Sequence, residues 1–313
     1  MAATIRSLTR PAHGADNRPH TKHRTLGLAL GLVGVVLVLI ALVGNISAAN
    51  ATNEASAAQT LAWTFGLTVL GFGTVKFGIA VILVGILVRL WLRVDSVEAS
   101  LPALRAASDG NQLTAGQSIS TAFGPAVIST GQPKPLTIHR MAGTMWAPML
   151  AMGAMALVAG FVLSLVWSAQ VGNDESAVAA SAWTQGLQFL GEGFLLSGIS
   201  FLLGSILASL REGGASVQES VGIVVQTLKM PGTAKIFVVL MMTGLMVSIT
   251  QFVLYLVVAA GVDNPGAWFA WLGPFRELGL GLLLSGIVMA LVTIGNVLGF
   301  QFHRIREICA VGR

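Results

Sequence analysis

Six polar side chains stand where chemistry could occur, and all lie within or at the edge of apolar runs. Thr68 and Lys76 share one run, Gln185, Gln188 and Glu192 a second, and Arg276 borders a third. At about 100° per residue, positions four apart advance only ~40° around a helix. Thr68, Phe72 and Lys76 therefore form one stripe. The corresponding stripes read Gln188, Glu192, Leu196 and Arg276, Leu280, Leu284, with Gln185 just above the second and Glu277 beside the arginine. Lys76 is thirteen residues from both Trp63 and Arg89, or about 20 Å from each at helical rise. Glu192 is nine residues from Trp183, roughly 13 Å. A lysine at a helix centre costs about 2.5–3.5 kcal/mol to insert. Ionisable groups at such depth mark substrate or ion pathways; the structural alternative is a buried ion pair that fixes helix register. Lys76 and Glu192, offset in depth by about 6 Å, are expected to interact near the centre of the bundle.

The elements that position these residues are repeated. Ala62-Trp63, Ala182-Trp183 and Ala270-Trp271 each open the pattern A-W-x6-L-G-x-G-x3-[FS]-G-I, which returns without a gap. The copies lie 120 and then 88 residues apart, and such a return is read before anything else. Each copy opens a long apolar run. Six runs reach the roughly 20 residues that a hydrocarbon core requires: Leu26–Ile46, Gly66–Leu90, Met145–Trp167, Gly186–Leu210, Ile236–Ala260 and Leu278–Phe300. The expected fold is an all-α polytopic membrane protein, with six transmembrane helices built as three tandem helical-hairpin repeats. Its expected divisions are a disordered basic cytoplasmic tail (1–25), repeat 1 with an inner amphipathic segment (26–107), a cytoplasmic loop (108–138), repeat 2 with a like segment (139–230), and repeat 3 with the cytoplasmic C-terminus (231–313). The amphipathic segments are Ser96–Leu101 and Ser216–Val221, read as short helices at the inner interface.

Composition agrees, with 54% hydrophobic and only 10% charged residues against roughly a quarter charged in a soluble domain. The net charge of +5 does not point to nucleic acid, because Arg24, Arg93, Arg105, Arg140, Lys235, Arg304 and their neighbours fall in loops of one side. The opposite loops hold Glu54, Asp174, Glu175 and Asp263 without Lys or Arg. The positive-inside rule then places both termini in the cytoplasm of a cell-membrane protein. A basic leader followed by Ala49-Asn50-Ala51 resembles a signal peptide, but a run of about 20 residues exceeds the 7–15 of a signal core. It is expected to remain as the first helix.

Glycines seven apart give each even-numbered helix a close-contact face: Gly71, Gly78 and Gly85; Gly191, Gly198 and Ser205; Gly279, Gly286 and Thr293. Small residues at this spacing let helices approach where lipid offers no hydrophobic drive. Gly66, off that face, is expected to tolerate a larger side chain. Trp63, Trp183 and Trp271 are expected to anchor their helices at the headgroup level. The pairs His23-Arg24, His139-Arg140 and His303-Arg304 are expected to face headgroups.

No enzyme is expected. The spans contain no His, and H-E-x-x-H, G-x-S-x-G and Walker patterns are absent, so neither nucleophile nor metal chemistry has a visible home. One cysteine, Cys309, leaves no disulfide or cysteine cluster; no cofactor or metal is expected. Six spans in three hairpins are similar in count to the mitochondrial carriers, but the P-x-[DE]-x-x-[KR] signature is missing and no residue role is transferred. The functional expectation is a small transporter or channel-like protein with pathway residues Lys76, Glu192, Gln188, Arg276, Gln185 and Thr68. The alternative is a non-catalytic membrane subunit or scaffold. Expected partners are membrane lipid and, in the second reading, other membrane subunits.

The topology has a direct test. In a Cys309→Ser background, a cysteine replacing Asn53 should react with an impermeant maleimide on intact cells, and one replacing Ser118 should not. The reverse pattern would invert the orientation.

Overall fold

The computed structural model describes residues 20–108, 126–129, 137–220, 225–228 and 230–310. The basic tail up to residue 19, most of the 108–138 loop, and positions 118 and 222 lie outside the described residues. Six helices make up almost all of the remainder: α1 (His20–Ala49), α2 (Glu54–Ser108), α3 (Thr137–Gln170), α4 (Asp174–Ser220), α5 (Gly232–Ala259) and α6 (Pro265–Ala310). Each is long and apolar enough to cross a membrane. In lipid every backbone N–H and C=O must be satisfied within its own segment, and apolar runs of this length meet that demand as helices.

Three expectations about the elements change. At 55, 47 and 46 residues, α2, α4 and α6 run well beyond the ~20 that a bilayer core needs. The segments from Ser96 and Ser216 are therefore not separate interfacial helices but the far ends of α2 and α4. Pro102 lies inside α2, where the alanines and leucines around it keep helix propensity high despite one lost hydrogen bond. The sixth helix extends beyond the apolar run that opens at Leu278 and starts at Pro265, with proline in the first turn, where its missing N–H costs nothing. Thirdly, part of the expected loop is a strand. β1 (Ala126–Ser129) pairs antiparallel with β2 (Val225–Leu228), Ala126 opposite Leu228. Four-residue strands are too short to announce themselves by alternation.

Short connections join α1 to α2, α3 to α4 and α5 to α6 at the end of the bundle that carries Trp63, Trp183 and Trp271, called here the tryptophan end. The Asn53 side-chain oxygen accepts the Ala55 and Ser56 amides at 2.9 and 3.3 Å, and Asn264 accepts Ala267 at 3.1 Å. Both are N-caps for otherwise orphaned donors. Gly261 turns the chain after α5 with φ 105°, a left-handed conformation that glycine adopts without strain.

The packing places α4 at the centre. It contacts α2, α3, α5 and α6, while α1 packs against α2 and the pair α2–α6 meets only at a few points. Two-thirds of the apolar window of α4 is buried, against a third or less in every other helix. α2 and α6 therefore both pack on α4 while meeting each other only at a few points.

The glycine faces are close contacts, and each has a partner on the preceding helix. A methyl group placed at Gly34 would lie 2.6 Å from the Gly71 carbonyl oxygen, and one at Gly27 2.7 Å from that of Gly78. Across α3–α4, Gly153 and Gly191 face each other's carbonyls at 2.9 and 3.0 Å, and Gly198 abuts the Leu150 backbone at 3.1 Å. In the third pair Gly244 meets Gly279 at 3.1 Å, while Gly286 is looser, 3.4 Å from the Met241 nitrogen. Gly85 and Ser205 are buried; the Ser205 hydroxyl donates within its own helix to Phe201. Thr293 reaches across, its hydroxyl 2.9 Å from that of Thr233. Gly66 overturns the expectation made for it. A methyl group there would collide with the Ser164 side chain and approach Gln188 at 3.2 Å, because Gly66 faces the neighbouring hairpin, not its own.

At the end opposite the tryptophans, Gln218 bonds both the backbone N–H and C=O of Gln226 at 2.9 Å. Arg304 donates its Nε–H to the Gln218 side-chain oxygen at 3.1 Å and is 1% exposed. Arg304 is thus not a headgroup-facing residue; its charge is held within a polar knot joining α4, β2 and α6.

Alanine substitution separates the contacts from open positions. Gly34→Ala should lower stability by about 1–3 kcal/mol, since the methyl meets backbone that cannot move aside. Gly281, with nothing within 4 Å, should gain about 0.5–1 kcal/mol as alanine from helix propensity. Thermal unfolding in detergent reads both; equal melting temperatures would remove the close contact as the cause.

Candidate functional site

The sequence stripes converge in part. Lys76 of α2, Glu192 of α4 and Arg276 of α6 come together, so each of the three even helices contributes one charge. The Lys76 ammonium donates to Glu192 Oε1. Arg276 Nη2 lies 3.5 Å from Glu192 Oε2, and its Nε lies 3.6 Å from Glu277 Oε1. The side chains are 22% exposed at Lys76, 4% at Glu192, 23% at Arg276 and 70% at Glu277. Along the cluster the order is Glu277, Arg276, Glu192, Lys76, with signs alternating and Glu192 the most buried of the four. α4 supplies the deeply buried carboxylate because it is the helix enclosed by all the others except α1.

The rest of each stripe is not equivalent. Gln188 and Leu196 are buried with Glu192, whereas Phe72 and Leu284 are each 50% exposed. The three stripes therefore do not line a common closed channel. Thr68 stays out of the cluster, bonding the Thr64 carbonyl of its own helix at 2.8 Å. Gln188 reaches the neighbouring hairpin and donates its amide to the Gly66 carbonyl at 3.1 Å, through the space that the absent side chain of Gly66 leaves. Gln185 accepts the Tyr255 hydroxyl of α5 at 3.2 Å.

Several buried polar atoms on α4 have no hydrogen-bond partner. They are Thr184 Oγ1, Gln188 Oε1, Glu192 Oε2 and Ser197 Oγ, and Arg276 Nε shares the condition. Thr184, Gln188 and Glu192 follow one another at i, i+4 and i+8 on one face. A buried polar atom without a partner costs about 1–3 kcal/mol, so this row, with acceptors at Gln188 and Glu192, marks a position where water or a ligand's N–H or O–H donor would be favourable.

An aromatic layer covers the cluster on the tryptophan side, and sequence reasoning did not find it. Neighbouring rings run Trp167, Phe65, Phe189, Tyr255 and Phe269, one from each of α3, α2, α4, α5 and α6, with centroids 5.8–6.2 Å apart. The Arg276 guanidinium stands over the Phe189 ring, 3.8 Å from its centroid, a cation–π contact strengthened by desolvation. The one sequence signal was Tyr255, the single tyrosine of the chain, set in an apolar span. The three anchor tryptophans do not converge. Trp63 lies against Gly44, Trp183 against Phe252, and Trp271 against Trp268 and Phe275.

No group of three metal-ligating side chains occurs among the described residues. Comparison of the chain with models of protein families, with curated proteins and with solved structures gives no match. The reading of the site consequently rests on its own geometry.

Because two cations share one carboxylate, the three single substitutions should differ. Glu192→Gln leaves Lys76 without its carboxylate and Arg276 with Glu277 alone, and should cost about 1–3 kcal/mol. Lys76→Met leaves Arg276 beside Glu192 and should cost less. Lys76→Met combined with Glu192→Gln should recover part of the Glu192→Gln loss. Unfolding of all variants in detergent measures the coupling, and strict additivity would dissolve the pair.

Proposed function

We propose that the chain is a small transporter or channel-like protein of the cell membrane, with its site at the Lys76–Glu192–Arg276 cluster. The architecture proposed with it is three tandem hairpin repeats with both termini cytoplasmic, as the returning sequence motif and the one-sided Lys and Arg suggest. The observation that carries the functional reading is the meeting of two cations, from the first and third hairpins, on one buried carboxylate of the second, beside a row of unpartnered polar atoms. A clasp needs one pair and satisfied neighbours. Surplus donors and orphaned oxygens favour a site that exchanges its partners. The pathway would run between α2 and α6, past Glu277 and Arg276, since the aromatic layer covers the direct route along α4.

A second reading, a non-catalytic subunit or scaffold, has its own support. The interior beside the cluster is filled: a methyl group at Gly193 would lie 2.5 Å from the Ser248 hydroxyl, and one at Gly191 2.9 Å from Leu157. In that reading the sparsely packed side between α2 and α6 receives a helix of another membrane subunit.

Thiol accessibility separates the two. In the Cys309→Ser background, Lys76→Cys and Arg276→Cys are treated with an impermeant thiosulfonate in native membranes, with folding checked by gel filtration. The transport reading expects water, and so reagent, to reach both positions. A reactive Arg276→Cys with an inert Lys76→Cys, and a copurifying membrane protein, would favour the scaffold.

A further inference from the structure

About two turns of α4 beyond Glu192, a pocket opens that the charge cluster does not use. α3 and α5 both pack on α4 and hardly touch each other. Toward the end opposite the tryptophans they leave this pocket between them, with α4 as its floor. Ala142, Phe201, Leu207, Phe237 and Met241 line it, and His139 and Ser200 are its only polar side chains. The Ser200 hydroxyl donates to the Leu196 carbonyl of its own helix at 2.9 Å, so it offers little to a ligand. A site lined in this way stays dry and suits hydrocarbon. Met145 of α3 and Ile236, Val239 and Met242 of α5 are exposed. The helices that flank the pocket thus turn apolar side chains to lipid.

Chain direction gives the pocket two unlike ends. α4 passes from Ser200 to Leu207 toward the end opposite the tryptophans, where α3 and α5 begin with His139 and Ala234 near their starts. The inner end is therefore apolar, and the outer end is at His139. Arg211, one turn beyond Leu207, is near enough to His139 to act on it electrostatically. Its Nη2 donates to Thr227 Oγ1 at a long 3.4 Å, and its Nε is buried without a hydrogen-bond partner. A guanidinium carries five donors in a fork that matches phosphate. Arg140 and Lys235, next in sequence to His139 and Ala234, are exposed at the same level. The acidic group at this level, Glu212, also acts on His139 and is already engaged. Cations outnumber carboxylates at the rim.

We propose that the pocket seats an acyl chain of an anionic phospholipid whose phosphate is held by Arg211 and His139. The volume of about 50 Å³ takes a short length of one chain, and the rest of the lipid stays in the bilayer. A soluble phosphate would meet the cations and leave the apolar length empty. A zwitterionic lipid would fill that length but bring its own cation to a cationic rim. An anionic phospholipid satisfies both ends. The one-sided Lys and Arg that suggest the orientation also put the pocket in the cytoplasmic leaflet, whose lipids are anionic.

The test is native mass spectrometry of the purified full chain, with dioleoyl phosphatidylglycerol or dioleoyl phosphatidylcholine titrated into the detergent. The first phosphatidylglycerol should bind about tenfold more tightly than phosphatidylcholine, as one charge-assisted hydrogen bond implies. Arg211→Gln should erase that preference. Val238→Phe, which fills the pocket from α5, should weaken the first phosphatidylglycerol by a like factor with Arg211 still in place. Arg24→Gln removes a cation of α1, away from the pocket, and should change nothing. Glycerol 3-phosphate, which has the phosphate and no chains, should not compete. Equal affinity for the two lipids, or an undiminished preference in Arg211→Gln, would overturn the proposal. So would indifference to Val238→Phe, an equal loss in Arg24→Gln, or competition by glycerol 3-phosphate. Should Arg211→Gln not fold, the wild-type lipid comparison and Val238→Phe decide.

Discussion

A carboxylate held near the middle of a membrane cannot stay ionised without cations close by, and the organisation of this bundle follows from how Glu192 obtains them. One cation comes from α2 and another from α6, helices that barely touch each other. Coulomb attraction in a poorly screened interior has long reach and little directional demand. It can thus pull two helices toward a third without requiring them to pack together. The glycine faces do the complementary work. They fix the odd helices α1, α3 and α5 onto the even helices at backbone distance, where dispersion and not charge decides the fit. Charge sets the register between hairpins; close packing sets it within them.

The arrangement is lopsided. α4 packs against four helices, α1 chiefly against one, and α2 and α6 meet only at a few points. Three sequence copies that look alike are consequently in different environments. Glu192 stands inside, whereas Phe72, at the matching position of the first copy, is half exposed, and Leu280, at that of the third, is buried in an apolar contact. A residue in one copy can be charged because residues in the other two supply the counter-charges. Identical copies could not do this.

The sequence made some of this legible and left the rest hidden, for physical reasons. Lys76 and Glu192 stand out because charge in an apolar run is expensive, and a shared motif gave their relative depth. The glycine faces were legible through spacing, yet only one side of each was seen. The partners Gly27, Gly34, Gly153 and Gly244 lie outside the repeated motif. Gly66 was misjudged because helix periodicity describes contacts along one face and says nothing of a second neighbour behind. The aromatic layer was hidden since phenylalanine is ordinary in a span, and only a third dimension shows five rings from five helices following one another in contact. Arg304 was placed at headgroups because the sequence cannot show that Gln218, 86 residues earlier, waits to receive it.

The distance along the chain between Lys76 and its counter-ion, 116 residues, also has meaning for biosynthesis. Translation at ~5–20 residues per second puts Glu192 on the order of ten seconds behind Lys76. For that interval α2 must either insert with an unpaired ammonium at its centre, at an insertion cost of about 2.5–3.5 kcal/mol, or linger at the translocation machinery. The apolar length of α2 and its early pairing with α1 through Gly34 and Gly71 provide the holding force meanwhile. Assembly of this protein is thereby ordered in time. The first hairpin enters in debt of one charge, the second discharges it, and the third arrives to a carboxylate already engaged.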